Sequence, residues 1–226
     1  MSLPPRPLAA IFDLDGTLVD NMRFHVQAWV AMSHSLGIDA PVERFEREFA
    51  GRRNEEIFPA LLGRPVPPEE LARLAEQKES HYRALYAPHL TPLRGARELL
   101  GRLRGAGFRL AVASAAPRAN RAFVLDGLEL RPFFSQVVGA EDVTRGKPAP
   151  DIFLAAARVL EVDPAACVVF EDAVHGIHAA RAAGMFAVGV TTLTPAEVLR
   201  EAGAHQVIED FASLPQEFEW RLFGGE

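Results

Sequence analysis

An apolar run, Leu8-Ala9-Ala10-Ile11-Phe12, passes directly into Asp13-Leu14-Asp15-Gly16-Thr17. The run does not alternate apolar with polar residues, so it reads as a strand buried on both faces, which is the habit of a parallel sheet covered by helices. Two acids then follow one residue apart. In an extended chain positions i and i+2 point the same way, so Asp13 and Asp15 are expected to face one site, with Gly16 allowing a sharp exit. The carboxyl end of a parallel strand is where open α/β folds place their ligands. Paired carboxylates repel unless a cation lies between them or one holds a proton. Taken alone, the pair is equally an acidic turn after a strand.

The remainder of the chain repeats a helix-then-strand pattern, which argues for a parallel sheet. Strands are expected at Phe108–Ala113, Gln136–Val138, Cys167–Phe170, Ala187–Val190 and Gln206–Ile208. Between them lie helices at Gly95–Arg104, Arg118–Leu125, Asp151–Leu160 (capped by Asp151), Val174–Ala183 and Pro195–Ala202. One stretch breaks the alternation. From Asn21 to Pro88 the sequence predicts only helices, at Arg23–Leu36, Val42–Phe49, Asn54–Leu62 and Pro68–Tyr86, with Asn54 as a cap for the third. A helical block between a first strand and later ones reads as an inserted domain.

Three strand ends carry polar chemistry: Asp13 with Asp15, Ser114, and Glu171 with Asp172. In a parallel sheet all of them share one edge. Two adjacent acids at a buried strand end are costly without a cation, although acids also suit a helix start. Ser114 alone reads as a helix cap. Lys147, in Gly146-Lys147-Pro148-Ala149-Pro150-Asp151, alone reads as a solvated lysine.

Read together, these segments resemble the haloacid dehalogenase superfamily. The likeness lies in Asp13-Leu14-Asp15-Gly16-Thr17-Leu18-Val19-Asp20, Ser114, the Lys147-Pro148 run and Glu171-Asp172, and covers nearly the whole chain. It implies a Rossmann-like α/β parallel-sheet core, residues 1–20 and 89–226, with an inserted α-helical cap, residues 21–88. It implies Asp13 as nucleophile and metal ligand and Asp15 as general acid and base, Asp15 also lending a backbone carbonyl to the metal. Asp172 becomes a direct Mg2+ ligand and Glu171 an outer one, with phosphate held by Leu14, Gly16, Ser114, Ala115 and Lys147.

Asp20-Asn21-Met22-Arg23-Phe24-His25 resembles the β-phosphoglucomutase-like branch, which makes His25 a candidate for coupling cap closure to proton transfer. Gly51, Arg52 and Arg53 occupy the place of the cap's substrate-specificity loop. Guanidinium groups suit a distal anionic group. The mutase pattern has a lysine before that glycine and an arginine three residues after it, where this chain has Ala50 and Asn54. The expectation is therefore a magnesium-dependent phosphatase for a small phosphorylated metabolite, such as a sugar phosphate. A β-phosphoglucomutase is the first alternative, and a non-catalytic phosphometabolite-binding protein the second.

Composition narrows the partners. A net charge of −6 over 226 residues gives no basic footprint for nucleic acid. No apolar stretch approaches a membrane span, and Met1–Pro7 lacks the charged and apolar regions of a signal peptide. The expectation is a cytoplasmic monomer without membrane contact. Cys167, the single cysteine, falls in an apolar run and reads as core. His175 and His178 lie i, i+3 on a helix without a third ligand and read as surface residues. Trp29 reads as core, while His81 and Tyr82 receive no role.

Overall fold

The computed structural model describes residues 7–48 and 53–224, with residues 46–48 as backbone alone. β1 (Ala9–Phe12) is buried at all four positions, as its uninterrupted apolar composition requires. It lies near the middle of a six-stranded sheet with β2 (Arg109–Ser114), β3 (Gln136–Gly139), β4 (Cys167–Glu171), β5 (Phe186–Val190) and β6 (Gln206–Ile208). The order is β3-β2-β1-β4-β5-β6, and every neighbouring pair is parallel. Phe12 is level with Val112 on one side and Phe170 on the other. The strands that end in Asp13, Ser114 and Glu171 are thus direct neighbours.

The chain divides into two units, Met1–Asp20 with Thr91–Glu226, and Asn21–Leu90. In the first, helices cover both faces of the sheet. One face packs Ile11, Ala113 and Val169 against Ile152, Phe153 and Ala156 of α7 (Asp151–Leu160) and Ile177 of α8 (Val174–Ala182). Cys167 belongs to this cluster, and burial pushes its thiol up to about 12. On the other face Phe12 stacks on Phe170 at 4.6 Å between centroids, with Phe134 and Phe211 edge-on to it at 6.0 Å. Phe218 of α10 (Gln216–Phe223) meets Phe170 there. α10 lies beyond the last element expected from the sequence, although Phe218 and Leu222, four apart and both buried, carry its signal. The same unit contains α5 (Ala96–Gly105), α6 (Arg118–Gly127) and α9 (Ala196–Glu201).

The second unit is helical: α1 (Met22–Ser35), α2 (Val42–Glu48), α3 (Asn54–Leu62) and α4 (Pro68–Tyr86). Its core joins Trp29 and Met32 to Phe45, Ile57, Phe58, Leu61 and Leu74. Two caps differ from expectation. Arg53, extended at φ −84° and ψ 154°, is the cap residue of α3. Asn54 is already helical, and its amide donates to Glu79 Oε1 at 3.0 Å. Asp151 is likewise the first helical residue rather than the cap of α7, and its carboxylate accepts from Arg145 Nη2 at 2.9 Å. In both cases a side-chain partner, Glu79 for Asn54 and Arg145 for Asp151, takes the group expected to cap the helix. No described helix is long and apolar enough to cross a membrane.

The aromatic face makes a stability prediction. Phe12→Ala is expected to cost about 3–5 kcal/mol, as loss of a large buried ring does, read as a lowered urea midpoint. A cost under about 1 kcal/mol, the range of surface substitutions, would show that the stack does not hold this face.

Candidate active site

One residue beyond the level of Phe12, Val112 and Phe170, the central strands give way to the site. The Asp13 N–H donates to the Phe170 carbonyl at 3.0 Å, which continues the β1–β4 ladder and sets Asp13 beside Glu171. After Leu14 the chain turns: Leu18 N–H donates to the Leu14 carbonyl at 2.9 Å, and Gly16 lies at φ +77°. Asp15 stands just before this turn, where it forms a single β-bridge with Val19. Its charge still acts on Asp13.

Three carboxylates converge. Asp13, Glu171 and Asp172 are 6%, 2% and 3% exposed, and one oxygen from each lies within 4.8 Å of the others. Lys147 joins them from the segment after β3: its ammonium donates to Asp13 Oδ1 at 2.7 Å and to Glu171 Oε2 at 2.6 Å. The Lys147–Pro148 peptide is cis. Thr17 Oγ1 donates to Asp172 Oδ1 at 3.2 Å, and Ala173 N–H to Glu171 Oε1 at 3.3 Å. Thr17, fully buried, is absent from the candidates read off the sequence, although it stands inside the acidic motif.

Two glycines make room for these acids. A Cβ on Gly16 would fall 2.1 Å from Asp172 Oδ2, and one on Gly176 would fall 1.9 Å from Glu171 Cδ. Gly176 also escaped the sequence reading; its signal is a small residue on the helix that starts just after the acidic pair. Ser114 is buried at the end of β2, where its Oγ accepts the Ala116 N–H at 3.2 Å. That bond leaves the hydroxyl proton available to an anion.

The electrostatics follow from burial. Loss of water pushes the Asp13 carboxyl up to about 7; Lys147 opposes the shift, and Glu171 and Asp15 add to it. Burial, reinforced by Glu171 and Asp13, holds Asp172 well above the ordinary carboxylate range. Burial pulls the Lys147 ammonium down, but Asp13 and Glu171 outweigh it and keep it charged. With all three acids ionised, one ammonium leaves two negative charges uncompensated. A hard divalent cation prefers such oxygen donors, so the donor set fits a metal ion held by Asp13, Glu171 and Asp172.

A haloacid dehalogenase-like hydrolase family model matches residues 8–184. The chain belongs to that family. Among relatives of this hydrolase, the chloroplastic 5-amino-6-(5-phospho-D-ribitylamino)uracil phosphatase of Arabidopsis thaliana is 31% identical over 202 residues, 89% of this chain but 53% of the plant protein. The beta-phosphoglucomutase of Bacillus subtilis is 34% identical over 95% of this chain and 96% of its own length. The crystal structure of a family IA, variant 3 hydrolase from Entamoeba histolytica superposes with a TM-score of 0.84 at 28% identity, covering 92% of this chain and 96% of that one.

The other candidates fall elsewhere. His175 and His178 are exposed on α8 and lie outside the carboxylate group. Gly51 and Arg52, with Ala50, lie outside the described residues, and Arg53 caps α3. Within the helical unit, His25 of α1 stacks on Tyr82 at 3.7 Å between centroids, and its Nδ1 is 2.9 Å from the Lys78 ammonium. Lys78 also donates to Glu79 at 3.0 Å, and both are buried. Neither charge was anticipated. The amphipathic pattern of α4 does not distinguish a buried ion pair from a solvated one.

Two expectations follow from this arrangement. Between pH about 4 and 7 the folded chain retains a proton on Asp13 that the unfolded chain releases. Without metal, that group's contribution to stability falls as pH rises through the window, by at most about 1.4 kcal/mol per pH unit. The stability difference between the wild type and Asp13→Asn, measured by urea unfolding in chelator at pH 5 and pH 7.5, should move against the wild type at the higher pH. A difference that moves the other way would show that Lys147, not burial, dominates. Second, Gly176→Ala should push the Glu171 carboxylate off Lys147, seen as weaker divalent-cation binding by calorimetry with the fold intact by circular dichroism. Unchanged affinity would mean that Glu171 does not contribute to the metal site.

Proposed function

We propose that this hydrolase is a magnesium-dependent phosphatase acting on a small phosphorylated metabolite, a sugar phosphate, through an aspartyl-phosphate on Asp13. The observation that carries the reading is the Asp13 carboxylate, bonded at 2.7 Å to a lysine whose side chain is 11% exposed, inside a group of three acids. That arrangement suits a nucleophile that must approach an anionic phosphoryl group.

An Asp13 oxygen attacks phosphorus, and the bond from phosphorus to the leaving alcohol breaks with its electron pair going to oxygen. Asp15, as the acid, gives that oxygen a proton, which avoids expelling a strongly basic alkoxide. Water then attacks phosphorus while Asp15 takes its proton. The bond to Asp13 breaks, its electrons return to the carboxylate, and inorganic phosphate leaves. Lys147 balances charge on Asp13 and the phosphoryl oxygens, and the Ser114 hydroxyl and the amides beside it hold those oxygens. Asp13, Asp172 and the backbone carbonyl of Asp15, with Glu171 as an outer ligand, would hold magnesium, which would supply the remaining positive charge at the site. The substrate-selecting role expected for Gly51, Arg52 and Arg53, and the coupling of cap closure to proton transfer expected for His25, are retained as proposals for the helical unit.

A second reading is β-phosphoglucomutase activity, favoured by the near full-length likeness to the Bacillus subtilis enzyme. Asn54 counts against it, because its neutral amide, bonded to Glu79, stands where the mutase pattern has an arginine.

Phosphate release from a sugar-phosphate panel, with and without magnesium, tests the proposal. The panel includes β-glucose 1-phosphate primed with glucose 1,6-bisphosphate, and glucose 6-phosphate is followed in the same tubes. Magnesium-dependent release without glucose 6-phosphate is expected. Glucose 6-phosphate without free phosphate would establish the mutase instead. Asp13→Asn should abolish turnover in a folded chain. Asp15→Asn should cost about 10²–10⁴-fold, the usual contribution of a general acid, and most with poor leaving groups. Equal losses across leaving groups would remove Asp15 from the acid role.

A further inference from the structure

Arg121, one turn into α6, is 4% exposed although it is charged. Its Nη1 donates to the Ala116 carbonyl at 2.6 Å and to Glu141 Oε2 at 3.1 Å, and its Nη2 donates to Glu141 Oε1. The guanidinium thus bridges two segments. One is the Ser114–Ala116 turn after β2. The other is the short turn Ala140–Asp142 after β3, from which the chain runs on to Lys147. That second turn is fixed in its own right, because Gly139 N–H donates to Asp142 Oδ2 at 2.8 Å. Gly139 and Ser114 are partners across the β2–β3 ladder. A Cβ on Gly139 would lie 2.2 Å from both Arg121 Nη1 and Glu141 Oε2, so the bare glycine is what admits the pair.

An ordinary structural ion pair is the simplest alternative. The Glu141 side chain is 52% exposed, and an ion pair open to solvent on one side is a poor source of stability. A planar guanidinium fork, by contrast, fixes distance and direction at once. Here one of its three hydrogen bonds, to the Ala116 carbonyl, reaches a turn whose other side is held by Ala116 N–H on Ser114 Oγ at 3.2 Å, and the other two go to Glu141. Bonds on the amide and on the carbonyl of Ala116 leave the turn little freedom. The Arg121 hydrogen bonds, opposed by partial burial, hold the Glu141 carboxyl below its ordinary range, so the pair stays charged across the neutral range.

We infer that Arg121 is a positioning residue: its fork ties the Ser114–Ala116 turn to the turn after β3 and holds the Ser114 hydroxyl and the Ala115 amide where phosphate oxygens are received. What is positioned rests on the phosphatase reading; that the turn is clamped does not.

The experiment uses the full chain with magnesium and four variants: Arg121→Met, Arg121→Lys, Glu141→Gln, and Leu222→Ala as a control. Leu222 is buried in α10, outside both turns. KM, kcat and the inhibition constant for inorganic phosphate are measured, together with residue-resolved amide hydrogen exchange. Arg121→Met should raise KM and the phosphate inhibition constant together by about tenfold or more, as displaced binding groups do, with a smaller loss in kcat. Its Ala115 and Ala116 amides should exchange faster by a similar factor, while those of Ala111–Ala113 stay as in the wild type. Arg121→Lys should restore part of the loss, because an ammonium can still reach the Ala116 carbonyl, and Glu141→Gln should lie between. Leu222→Ala should lower Tm with KM and the inhibition constant unchanged.

A lower Tm in Arg121→Met with unchanged KM, inhibition constant and local exchange would overturn the inference and leave a structural pair. If Arg121→Met does not fold, Arg121→Lys and Glu141→Gln carry the same comparison. If the wild type hydrolyses no phosphate ester, exchange decides: faster Ala115 and Ala116 amides uphold the clamp while the phosphatase reading falls, and unaltered exchange overturns the clamp.

Discussion

The Lys147 ammonium, shared between Asp13 at 2.7 Å and Glu171 at 2.6 Å, is the interaction on which the site depends. Burying a carboxylate costs several kcal/mol even after relaxation, and here three lie together. Burial first, and then the acids' mutual repulsion, which one cation cannot cancel, hold Asp13 and Asp172 above the ordinary carboxylate range. That cation does fix their arrangement. Lys147 reaches Asp13 at the end of β1 and Glu171 at the end of β4 only because those strands are adjacent and parallel, with Phe12 level with Phe170. The topology of the sheet and the chemistry of its edge are therefore one constraint. Slipping β4 by a residue along β1 would exchange Glu171 for a neighbour that points to the opposite face.

Packing supports that register from both sides. Alanines and other modest side chains on α7 and α8 let these helices lie close to one face, and the Phe12–Phe170 stack fills the other. Glycines then appear where a side chain would strike an acid. Gly16, at φ +77°, both turns the chain out of β1 and clears Asp172. Gly176 clears Glu171 from within α8, where glycine is otherwise a poor helix former. Its presence there is explained by the carboxylate beside it rather than by the helix.

Much of the fold was legible because local signals and burial agree. The bounds of Asn54–Leu62, Pro68–Tyr86 and Gln206–Ile208 are those expected from periodicity and punctuation. The six-stranded parallel sheet follows from alternation, and its order places three polar strand ends side by side. What escaped was decided by partners far along the chain. Asn54 has every local property of a cap, yet it bonds to Glu79, 25 residues away. Arg121 resembles any arginine on an amphipathic helix until Glu141 and Ala116 are seen around it. Lys78 and Glu79 look like solvated helix residues, but both are buried. Asp15, bridged to Val19 across the turn at residues 16–18, is not among the three carboxylates that converge.

The protonation of Asp13 ties the proposed chemistry to its metal. A carboxyl raised to about 7 by burial is, without a metal ion, still partly protonated at neutral pH, and its protonated fraction is weakly nucleophilic. The same burial that excludes water from the reaction thus works against the nucleophile. A divalent charge beside Glu171 and Asp172 would reverse this, since an opposite charge within a few ångströms favours the ionised form. Because deprotonated ligands bind the ion, proton release accompanies binding, and affinity should strengthen as pH rises toward 7. Under the phosphatase reading, magnesium and the active form of Asp13 are not two independent requirements. One site would bind the ion and, through that binding, create its own nucleophile. Lys147 cannot take over that task, because its single charge is already divided between two carboxylates.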